Sequence, residues 1–143
     1  MHIAELSTDD ELRSAYPIMA ELRPHLSPER YMELTAEMIA RGYRLAALSD
    51  EGTMVSVAGF EMGTNLYYGR YLWVYDLVTT AGARSHGYGA RLLAHLEHIA
   101  ATNGCDTIAL SSGLQRTDAH RFYEDRMHYE RTSFVFKKTP SPA

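Results

Sequence analysis

The segment that most constrains the fold runs from residue 71 to residue 102. It begins with a very apolar stretch, Tyr71 to Thr79, whose bulky groups fall on both faces of a strand, as is typical of a central strand. A small, glycine-rich stretch covers residues 80–89, and apolar residues at helical spacing follow until Asn103 and Gly104. A strand, a tight turn and a helix in this order predict a parallel crossover within a mixed α/β sheet.

The rest of the chain divides into further strand and helix patterns. Thr8 and Glu11 form a capping box that predicts a helix over residues 9–23. Ser27 and Pro28 predict the start of a second helix, which Gly42 ends. The other expected elements are strands at 2–6, 43–49, 53–62, 71–79, 105–112 and 132–137, and helices at 88–102 and from Thr117. The predicted order is therefore β-α-α-β-β-β-α-β-α-β.

Length and composition favour a single globular domain. The chain has 143 residues, of which 45% are hydrophobic and 22% are charged, close to the average for folded proteins. We expect one domain over residues 1–138 and a short, polar C-terminal tail over residues 139–143.

Charge and cysteine content exclude several classes of partner. A net charge of −4 and a pI near 5.9 argue against nucleic acid or an anionic membrane as the main partner. No stretch approaches the ~18 apolar residues of a membrane span, and the N-terminus lacks the pattern of a signal peptide. Cys105 is the only cysteine, which fits a reducing compartment, so a cytoplasmic protein is expected. His95 and His98 have helical spacing, but no third ligand stands out, and no metal is expected.

Residues 84–90 place two glycines between the apolar strand and the start of the next helix. Glycines let the backbone approach a ligand closely, and the first N–H groups of a helix have no partner inside it. Together with the helix dipole they form an anion site suited to phosphate or pyrophosphate. A Rossmann fingerprint is excluded because its third glycine would stand at Leu92, and a P-loop is excluded because Gly-Lys-Ser/Thr is absent.

Three motifs at matching intervals point to one family. Arg84, Gly87, Gly89 and Ala90 fill an Arg/Gln-x-x-Gly-x-Gly/Ala loop, and Asp76-Leu77-Val78-Thr79 precedes it. Residues 119–124 read Ala-His-Arg-Phe-Tyr-Glu, which matches an Ala-x-x-Phe-Tyr-Glu helix. In these features the chain resembles the GNAT superfamily of N-acetyltransferases. The resemblance covers residues 70–137 well, whereas residues 1–62 agree only in the order of their secondary structure.

The resemblance implies a GNAT-like fold in which the fourth and fifth strands splay apart to hold acetyl-CoA. The pantetheine arm is expected to run beside residues 77–79 like an added strand, and the pyrophosphate is expected on the amides of residues 85–90. The implied CoA-binding residues are Leu77, Val78, Thr79, Arg84, Ser85, His86, Gly87, Tyr88, Gly89 and Ala90. The implied reaction transfers the acetyl group to a primary amine of a small-molecule or peptide acceptor.

The resemblance also implies catalytic roles. A backbone N–H near Val78 or Thr79 is expected to stabilise the oxyanion formed when the amine attacks the thioester. Tyr123, by its position, is expected to protonate the leaving CoA thiolate. Many family members carry a glutamate on the fourth strand to deprotonate the amine, and one such position is Trp73 here. The base therefore remains open among Glu61, Tyr75 and a water chain.

Two departures from the family pattern keep other functions in view. Trp73, and Arg116 in place of an asparagine that often contacts pantetheine, favour a non-catalytic domain that binds acyl-CoA as a sensor. A second alternative is a protein-modifying enzyme that acts on peptide N-termini or lysines. The resemblance also suggests a homodimer, with the exposed edge of the last strand as one route to it.

Overall fold

The computed structural model describes residues 1–142, which contain five strands and four α-helices. The strands are β1 (His2–Leu6), β2 (Arg44–Asp50), β3 (Thr53–Asn65), β4 (Gly69–Thr79) and β5 (Thr107–Leu110). The helices are α1 (Asp9–Leu22), α2 (Pro28–Ala40), α3 (Tyr88–Thr102) and α4 (Thr117–Arg121). A 3-10 turn covers Ala81–Ala83, and α4 continues as a π-helical segment, Phe122–Arg126.

The chain forms two compact units, one spanning Met1–Leu110 and the other beginning at Ser111. A single domain over residues 1–138 stays a prediction. The expected tail, residues 139–143, contains no helix or strand up to residue 142, and Ala143 lies outside the described residues.

The first two helices begin where the capping residues predict. The Thr8 side chain accepts a hydrogen bond from the Glu11 N–H, and the Glu11 carboxylate accepts one in return from the Thr8 N–H. Ser27 caps α2 in the same way through the Arg30 N–H, and Pro28 is the first helical residue, where its missing N–H costs nothing. Among the helices of residues 1–142, none combines the length and the apolar character needed to cross a membrane.

The five strands form one sheet in the order β1-β2-β3-β4-β5. The first four are antiparallel neighbours, and β4 and β5 are parallel and connected through α3. Glu51 and Gly52 adopt positive φ angles of 51° and 79° in the turn between β2 and β3, as a tight hairpin requires. The predicted mixed α/β fold class and the parallel crossover are confirmed.

Both faces of the sheet are covered within the first unit. On one face, α1 and α2 pack against side chains from all of the first four strands, including Leu45, Val57 and Val78. On the other, the fully buried leucines Leu92, Leu93 and Leu96 of α3 lie against β3 and β4. The burial of β4 from both sides explains why its sequence is apolar in both registers.

The predicted last strand, Thr132 to Lys137, is wrong for the described chain. These residues form no strand, and Phe134, Val135 and Phe136 are 71%, 70% and 93% exposed. The alternation of the sequence indicates a strand, but a strand also requires a hydrogen-bonding neighbour, and alternation does not specify one. The observed order therefore ends at α4 instead of at a sixth strand.

Candidate active site

The loop between β4 and α3 takes a shape that only a few residues tolerate. After the 3-10 turn at Ala81–Ala83, the backbone is extended at Arg84 and left-handed at Ser85, with φ of 69°. Gly87 is also left-handed, with φ of 79°, and is the N-cap of α3. Left-handed backbone is costly for most residues but open to glycine, so the sequence places its glycine where the chain turns into the helix.

This N-cap leaves the start of α3 open to an anion. Glycine has no side chain to cap the helix, and no acidic residue stands in its first turn. The first N–H groups of a helix lack intrahelical partners, and the helix dipole adds partial positive charge at this end. The amides of Tyr88, Gly89 and Ala90 are therefore suited to receive phosphate oxygens.

Side chains from two other elements, α1 and β2, hold the loop in place. The Glu21 carboxylate of α1 accepts hydrogen bonds from the Thr80 hydroxyl at 2.5 Å and from the Ala81 N–H at 2.9 Å. The Tyr88 hydroxyl donates to Asp50 at the end of β2, at 2.5 Å, which raises the pKa of this phenol. The His86 ring stacks on Tyr88 with centroids 5.6 Å apart. These contacts fix the loop at both ends, so its shape exists before a ligand arrives.

In the part of the chain that the structure describes, strand β4 pairs with only one neighbouring strand over its last five residues, which leaves an open edge in the sheet. Its pairing with β5 ends at Val74 opposite Leu110, whereas its pairing with β3 continues to Thr79 opposite Ser56. In an antiparallel pair, hydrogen-bonded positions alternate. Because the Thr80 N–H donates to the Val55 carbonyl, Val78 also faces β3, and Leu77 and Thr79 direct their N–H and C=O groups to the open edge.

The open strand edge and the loop meet at one contact. The Arg84 Nε donates to the Thr79 carbonyl at 3.2 Å, while the guanidinium lies 3.8 Å from Glu21. The structure thus brings the predicted residues 77–79 and 84–90 together in the first unit. Of the two donors expected for the oxyanion, Thr79 presents its N–H to the open edge and Val78 does not.

A β-bulge lies where β4 leaves β5. Gly59 pairs with Asp76 and Phe60 with Val74, so Tyr75 is an extra residue on β4. Arg23, just past α1, holds this bulge by donating from Nε to Asp76 at 3.0 Å and from Nη2 to the Tyr75 carbonyl at 2.8 Å. Bulges bend a strand and interrupt its pairing, which accounts for the opening between β4 and β5.

Asp76 also accepts a hydrogen bond from the buried Tyr43 hydroxyl, at 2.7 Å. Burial, and then the charge of Asp76, raise the Tyr43 pKa well above its ordinary value, so this phenol remains protonated as the donor. Space for its hydroxyl exists only because residue 59 is glycine, since a Cβ there would lie 1.7 Å from the Tyr43 oxygen. Arg23, Tyr43, Gly59 and Asp76 therefore act together to hold the bulge.

We expect Gly59→Ala to lower the free energy of unfolding by about 3 kcal/mol, the upper end of the usual cost of overpacking. The added methyl group must displace the Tyr43 hydroxyl from Asp76 or push the strands apart. Urea denaturation measures the change. Gly82→Ala is the matched control, because a Cβ at residue 82 meets nothing within 4 Å. Equal stability of the two variants would contradict this role for Gly59.

Beyond the bulge, a carboxylate and aromatic rings share one region of the sheet. The Tyr75 hydroxyl donates to Glu61 at 3.1 Å, and Glu61 pairs across the strands with Trp73. The centroid of the Tyr68 ring lies 6.3 Å from that of Trp73 and 6.0 Å from that of Tyr71. Burial, and then the hydrogen bond to Glu61, raise the pKa of Tyr75. The salt bridges found within residues 1–142 do not include Glu61, whose carboxylate accepts the Tyr75 hydroxyl.

Tyr123 belongs to the second unit and lies where α4 widens into the π-helical segment. Its side chain is 9% exposed, and its ring packs beside those of Phe122 and Tyr129, with centroids 5.3 and 6.2 Å away. Burial raises its pKa, and the charge of Arg116 lowers it by a smaller amount, so the phenol is protonated at neutral pH. π-helical turns are frequent at functional sites.

Several features of the site were missed by the sequence prediction. Glu21, Arg23 and Asp50 come from elements far along the chain from the residues they hold. Ser112, two residues after β5, has a buried hydroxyl without a hydrogen-bond partner among the described residues. No capping pattern or sequence motif indicates the roles of these four residues. Within residues 1–142, no three His, Cys, Asp or Glu side chains are grouped to hold a metal ion.

Comparison with known proteins decides the family. The model of the acetyltransferase (GNAT) family matches residues 8–129, most of the chain. The chain belongs to the GNAT family of acetyltransferases. A relative that covers nearly all of this acetyltransferase is a Bacillus subtilis protein named uncharacterized N-acetyltransferase YhdJ. It is 40% identical over 139 residues, which cover 96% of this chain and 98% of the relative.

Two further matches agree with the family. The aminoalkylphosphonate N-acetyltransferase of Salmonella typhimurium is 29% identical over 145 residues, covering 96% of this chain and 92% of the relative. The solved structure of aminoglycoside N-acetyltransferase AAC(6')-Iy in complex with CoA has a TM-score of 0.83 at 12% identity. That match covers 98% of this chain and 96% of the other, and shows the shared fold. The protein is an N-acetyltransferase, which favours the enzyme over the non-catalytic sensor domain.

Proposed function

We propose that this enzyme transfers an acetyl group from acetyl-CoA to a primary amine of a small molecule. The observation that carries the proposal is the open edge of β4 leading directly into the uncapped start of α3. One surface thus offers strand-like hydrogen-bonding groups followed by an anion site, the order in which CoA presents its pantetheine amides and its pyrophosphate. The CoA complex of the structurally similar aminoglycoside acetyltransferase supports this assignment.

The pantetheine arm would bind along Leu77, Val78 and Thr79. The outward N–H and C=O groups of residues 77 and 79 can pair with its two amides as a neighbouring strand would. The pyrophosphate would lie on the amides of residues 85–90, with the exposed Arg84 side chain near its charge. Gly87 and Gly89 would let the phosphates approach the backbone.

The chemistry would be direct attack. The neutral amine nitrogen forms a bond to the thioester carbonyl carbon, and the carbonyl oxygen becomes an oxyanion near an outward N–H, that of Leu77 or Thr79. The intermediate then collapses, the carbon–sulfur bond breaks, and the thiolate receives a proton from Tyr123. The former amine nitrogen releases a proton to water as the amide forms, and the Tyr123 phenolate takes a proton back from solvent. The raised pKa of Tyr123 supports this role, because the group carries its proton at neutral pH.

The amine must lose a proton before it attacks. A lysine-like amine is mostly protonated at neutral pH. The free-energy cost of removing its proton is roughly 4–5 kcal/mol, at 1.36 kcal/mol for each unit between the pH and the pKa. Glu61 is the carboxylate we assign to receive the ammonium group, with Tyr75 as its hydrogen-bonded neighbour. The exposed Tyr75 ring and the nearby Trp73 ring can bind a cation through cation–π interactions. The names of the two enzyme relatives, which modify aminoglycosides and aminoalkylphosphonates, support a small-molecule amine.

Glu61→Gln is expected to raise the KM for the amine by about 10- to 100-fold, the range of a lost charge-assisted hydrogen bond. The KM for acetyl-CoA should remain unchanged, because residue 61 is outside the CoA surface. Steady-state kinetics with each substrate varied in turn separates the two constants. Glu37→Gln, an equally conservative change on the exposed part of α2, is the control. An unchanged amine KM would exclude Glu61 as the ammonium partner.

The overall proposal is tested in two steps. Thermal denaturation with acetyl-CoA, CoA, NAD and ATP should show stabilisation by the CoA species alone. A ligand at about 100 times its Kd adds about 2.7 kcal/mol, which raises the melting temperature by roughly 5–15 °C. Amines and peptides are then screened by detecting the free thiol of CoA. Turnover of peptides alone would favour the protein-modifying alternative, and no shift with CoA at saturation would contradict the proposed surface.

A further inference from the structure

A group of aromatic rings lies on one face of the sheet, between the β-bulge and the turn that joins β3 to β4. Trp73 pairs across the strands with Glu61. The next pair on the same face, toward the turn, is Tyr71 with Gly63, because alternate residues of a strand share a face. The Tyr68 ring, from the turn itself, lies beside the rings of both Tyr71 and Trp73. We name Tyr68, Tyr71 and Trp73 the aromatic face, and it begins beside the Glu61 carboxylate.

The helices that cover this side of the sheet leave the aromatic face partly open to solvent. Val57, which shares a face of β3 with Glu61, is buried together with Val78 in the core beneath α1 and α2. Toward the turn the burial decreases: the three residues of the aromatic face are half-buried, and Tyr75 is 41% exposed. Contiguous apolar surface that remains open to water is typical of a binding site.

Local contacts fix the rings of the aromatic face before a ligand binds. A Cβ at residue 63 would lie 2.6 Å from the Tyr71 hydroxyl oxygen, so the missing side chain of Gly63 lets Tyr71 lie across β3. In the turn, the Asn65 side chain accepts a hydrogen bond from the Tyr68 N–H at 2.6 Å. The Tyr68 carbonyl accepts another from the Thr107 hydroxyl at 3.1 Å. A surface that is ordered in advance loses less entropy when it binds a ligand.

The two strands offer one carboxylate to a ligand on this face. β3 and β4 together contain two acidic residues, Glu61 and Asp76. Asp76 is bound to Arg23 and Tyr43, whereas Glu61 accepts a hydrogen bond from the neutral Tyr75 hydroxyl. A second or third ammonium group brought to the aromatic face would lose its water without gaining a carboxylate from these strands. The surface therefore favours a ligand with one positive charge over a polyamine.

The spacing between the carboxylate and the rings sets the shape of such a ligand. Glu61 and the pair of Gly63 with Tyr71 are two residues apart along β3, about 7 Å at the rise of a strand. An aromatic ring joined to a primary amine by a short alkyl chain spans this distance. Its ring can pack against aromatic side chains, while its ammonium group passes close to the Trp73 ring.

We propose that the acceptor is an arylalkylamine, a monoamine whose ring packs on the aromatic face while its nitrogen meets Glu61. The inference rests on the proposed function, because it uses Glu61 as the ammonium partner. Along β4 the order is then the aromatic face for the ring, the bulge for the amine, and the open edge for CoA. Tyr68, Tyr71 and Trp73 therefore determine specificity and take no part in the chemistry.

Selectivity between two amines tests the aromatic face. 2-Phenylethylamine carries a ring and butylamine does not, while each carries one positive charge, so kcat/KM should be higher for 2-phenylethylamine. Trp73→Leu and Tyr68→Leu should each lower the ratio of the two kcat/KM values by about 3- to 10-fold, the range of an aromatic pair. Trp73→Phe restores a ring and should recover most of the ratio. Leu66→Ala, an exposed position on the same turn, is the control and should leave the ratio unchanged.

The outcomes distinguish this inference from the proposed function. Equal kcat/KM for the two amines, or a higher value for the polyamine spermidine, would overturn the arylalkylamine and leave amine acetylation intact. A ratio that stays unchanged in both leucine variants would overturn the role of the aromatic face.

Tryptophan fluorescence tests binding without turnover. Trp73 is the only tryptophan of the chain, so its emission reports directly on the aromatic face. With CoA present, 2-phenylethylamine should saturate the change in emission at a lower concentration than butylamine, and Glu61→Gln should weaken this binding by at least about 10-fold. Equal midpoints for the two amines would overturn the proposal. Saturable binding of 2-phenylethylamine without turnover would support the aromatic face and contradict the proposed function alone.

Discussion

Tyr123→Phe is expected to lower kcat for acetyl transfer by about 10²- to 10⁴-fold, the usual contribution of a general acid. The thiolate of CoA would then leave without a proton donor, while the ring and its contacts with Phe122 and Tyr129 remain. The KM values for both substrates should change little, because the lost hydroxyl acts on the leaving group. Rapid-quench measurement of a single turnover isolates this step from product release.

The matched control is Tyr129→Phe, which removes the same hydroxyl from the neighbouring ring. It should retain nearly the full kcat if the effect at Tyr123 is chemical. An equal loss in both variants would indicate a structural disturbance of this segment, and an unchanged single-turnover rate in Tyr123→Phe would exclude the acid role.

The pH dependence gives an independent test of the same residue. A general acid acts only while protonated, and burial raises the Tyr123 pKa above the ordinary value of 10.0. Activity that depends on this proton is therefore retained through neutral pH and lost only above pH 10. The Tyr123→Phe variant should lack this alkaline decrease. A decrease at the same pH in both proteins would assign it to another group.

Short-range patterns predicted much of the first unit. The Thr8–Glu11 capping box, the proline at the start of α2 and the glycine before α3 each act within one helical turn. Each therefore has the same consequence in any surrounding structure. The turn at residues 80–89 could be predicted for the same reason, because glycine is the residue best suited to a left-handed N-cap. The pairing of β4 with β5 followed from a general rule on parallel crossovers.

The bulge was not predictable because its cause is spread along the chain. Arg23, Tyr43, Gly59 and Asp76 are separated by up to 53 residues, and none forms a local motif with another. The apolar stretch of β4 continues through Tyr75 without a break, although the register of its pairing with β3 shifts there. The sequence thus indicated strand β4 but not the residue at which β4 separates from β5. That residue decides which groups face the open edge.

The prediction of the last strand was wrong for a different reason, since its local pattern was incomplete. Thr132 to Lys137 alternates as a strand does, but alternation carries no information on which neighbouring strand the segment would join. Tyr123 was identified only through the family motif, because an isolated tyrosine on the apolar face of a helix is usually a packing residue. Its low exposure, at 9%, agrees with both roles.

Gly87→Glu is expected to weaken CoA binding by at least about 100-fold, equivalent to about 2.7 kcal/mol. Two effects act in the same direction. The backbone at residue 87 has a φ of 79°, which a side chain strains, and a carboxylate at the N-terminus of α3 would occupy and repel the position proposed for the pyrophosphate. Isothermal titration with CoA measures the loss, and the thermal stabilisation by acetyl-CoA should disappear with it.

Two further variants separate the two effects. Gly87→Ala keeps the backbone strain without the charge, and Gly82→Glu places the same charge on the neighbouring 3-10 turn, where a Cβ meets nothing within 4 Å. We expect affinities in the order wild type, Gly82→Glu, Gly87→Ala and Gly87→Glu, from tightest to weakest. Raising the salt concentration should weaken the wild type more than Gly87→Glu, because the lost contact is ionic. Full affinity in Gly87→Glu would place the phosphates of CoA away from α3 and contradict the proposed pyrophosphate site on residues 85–90.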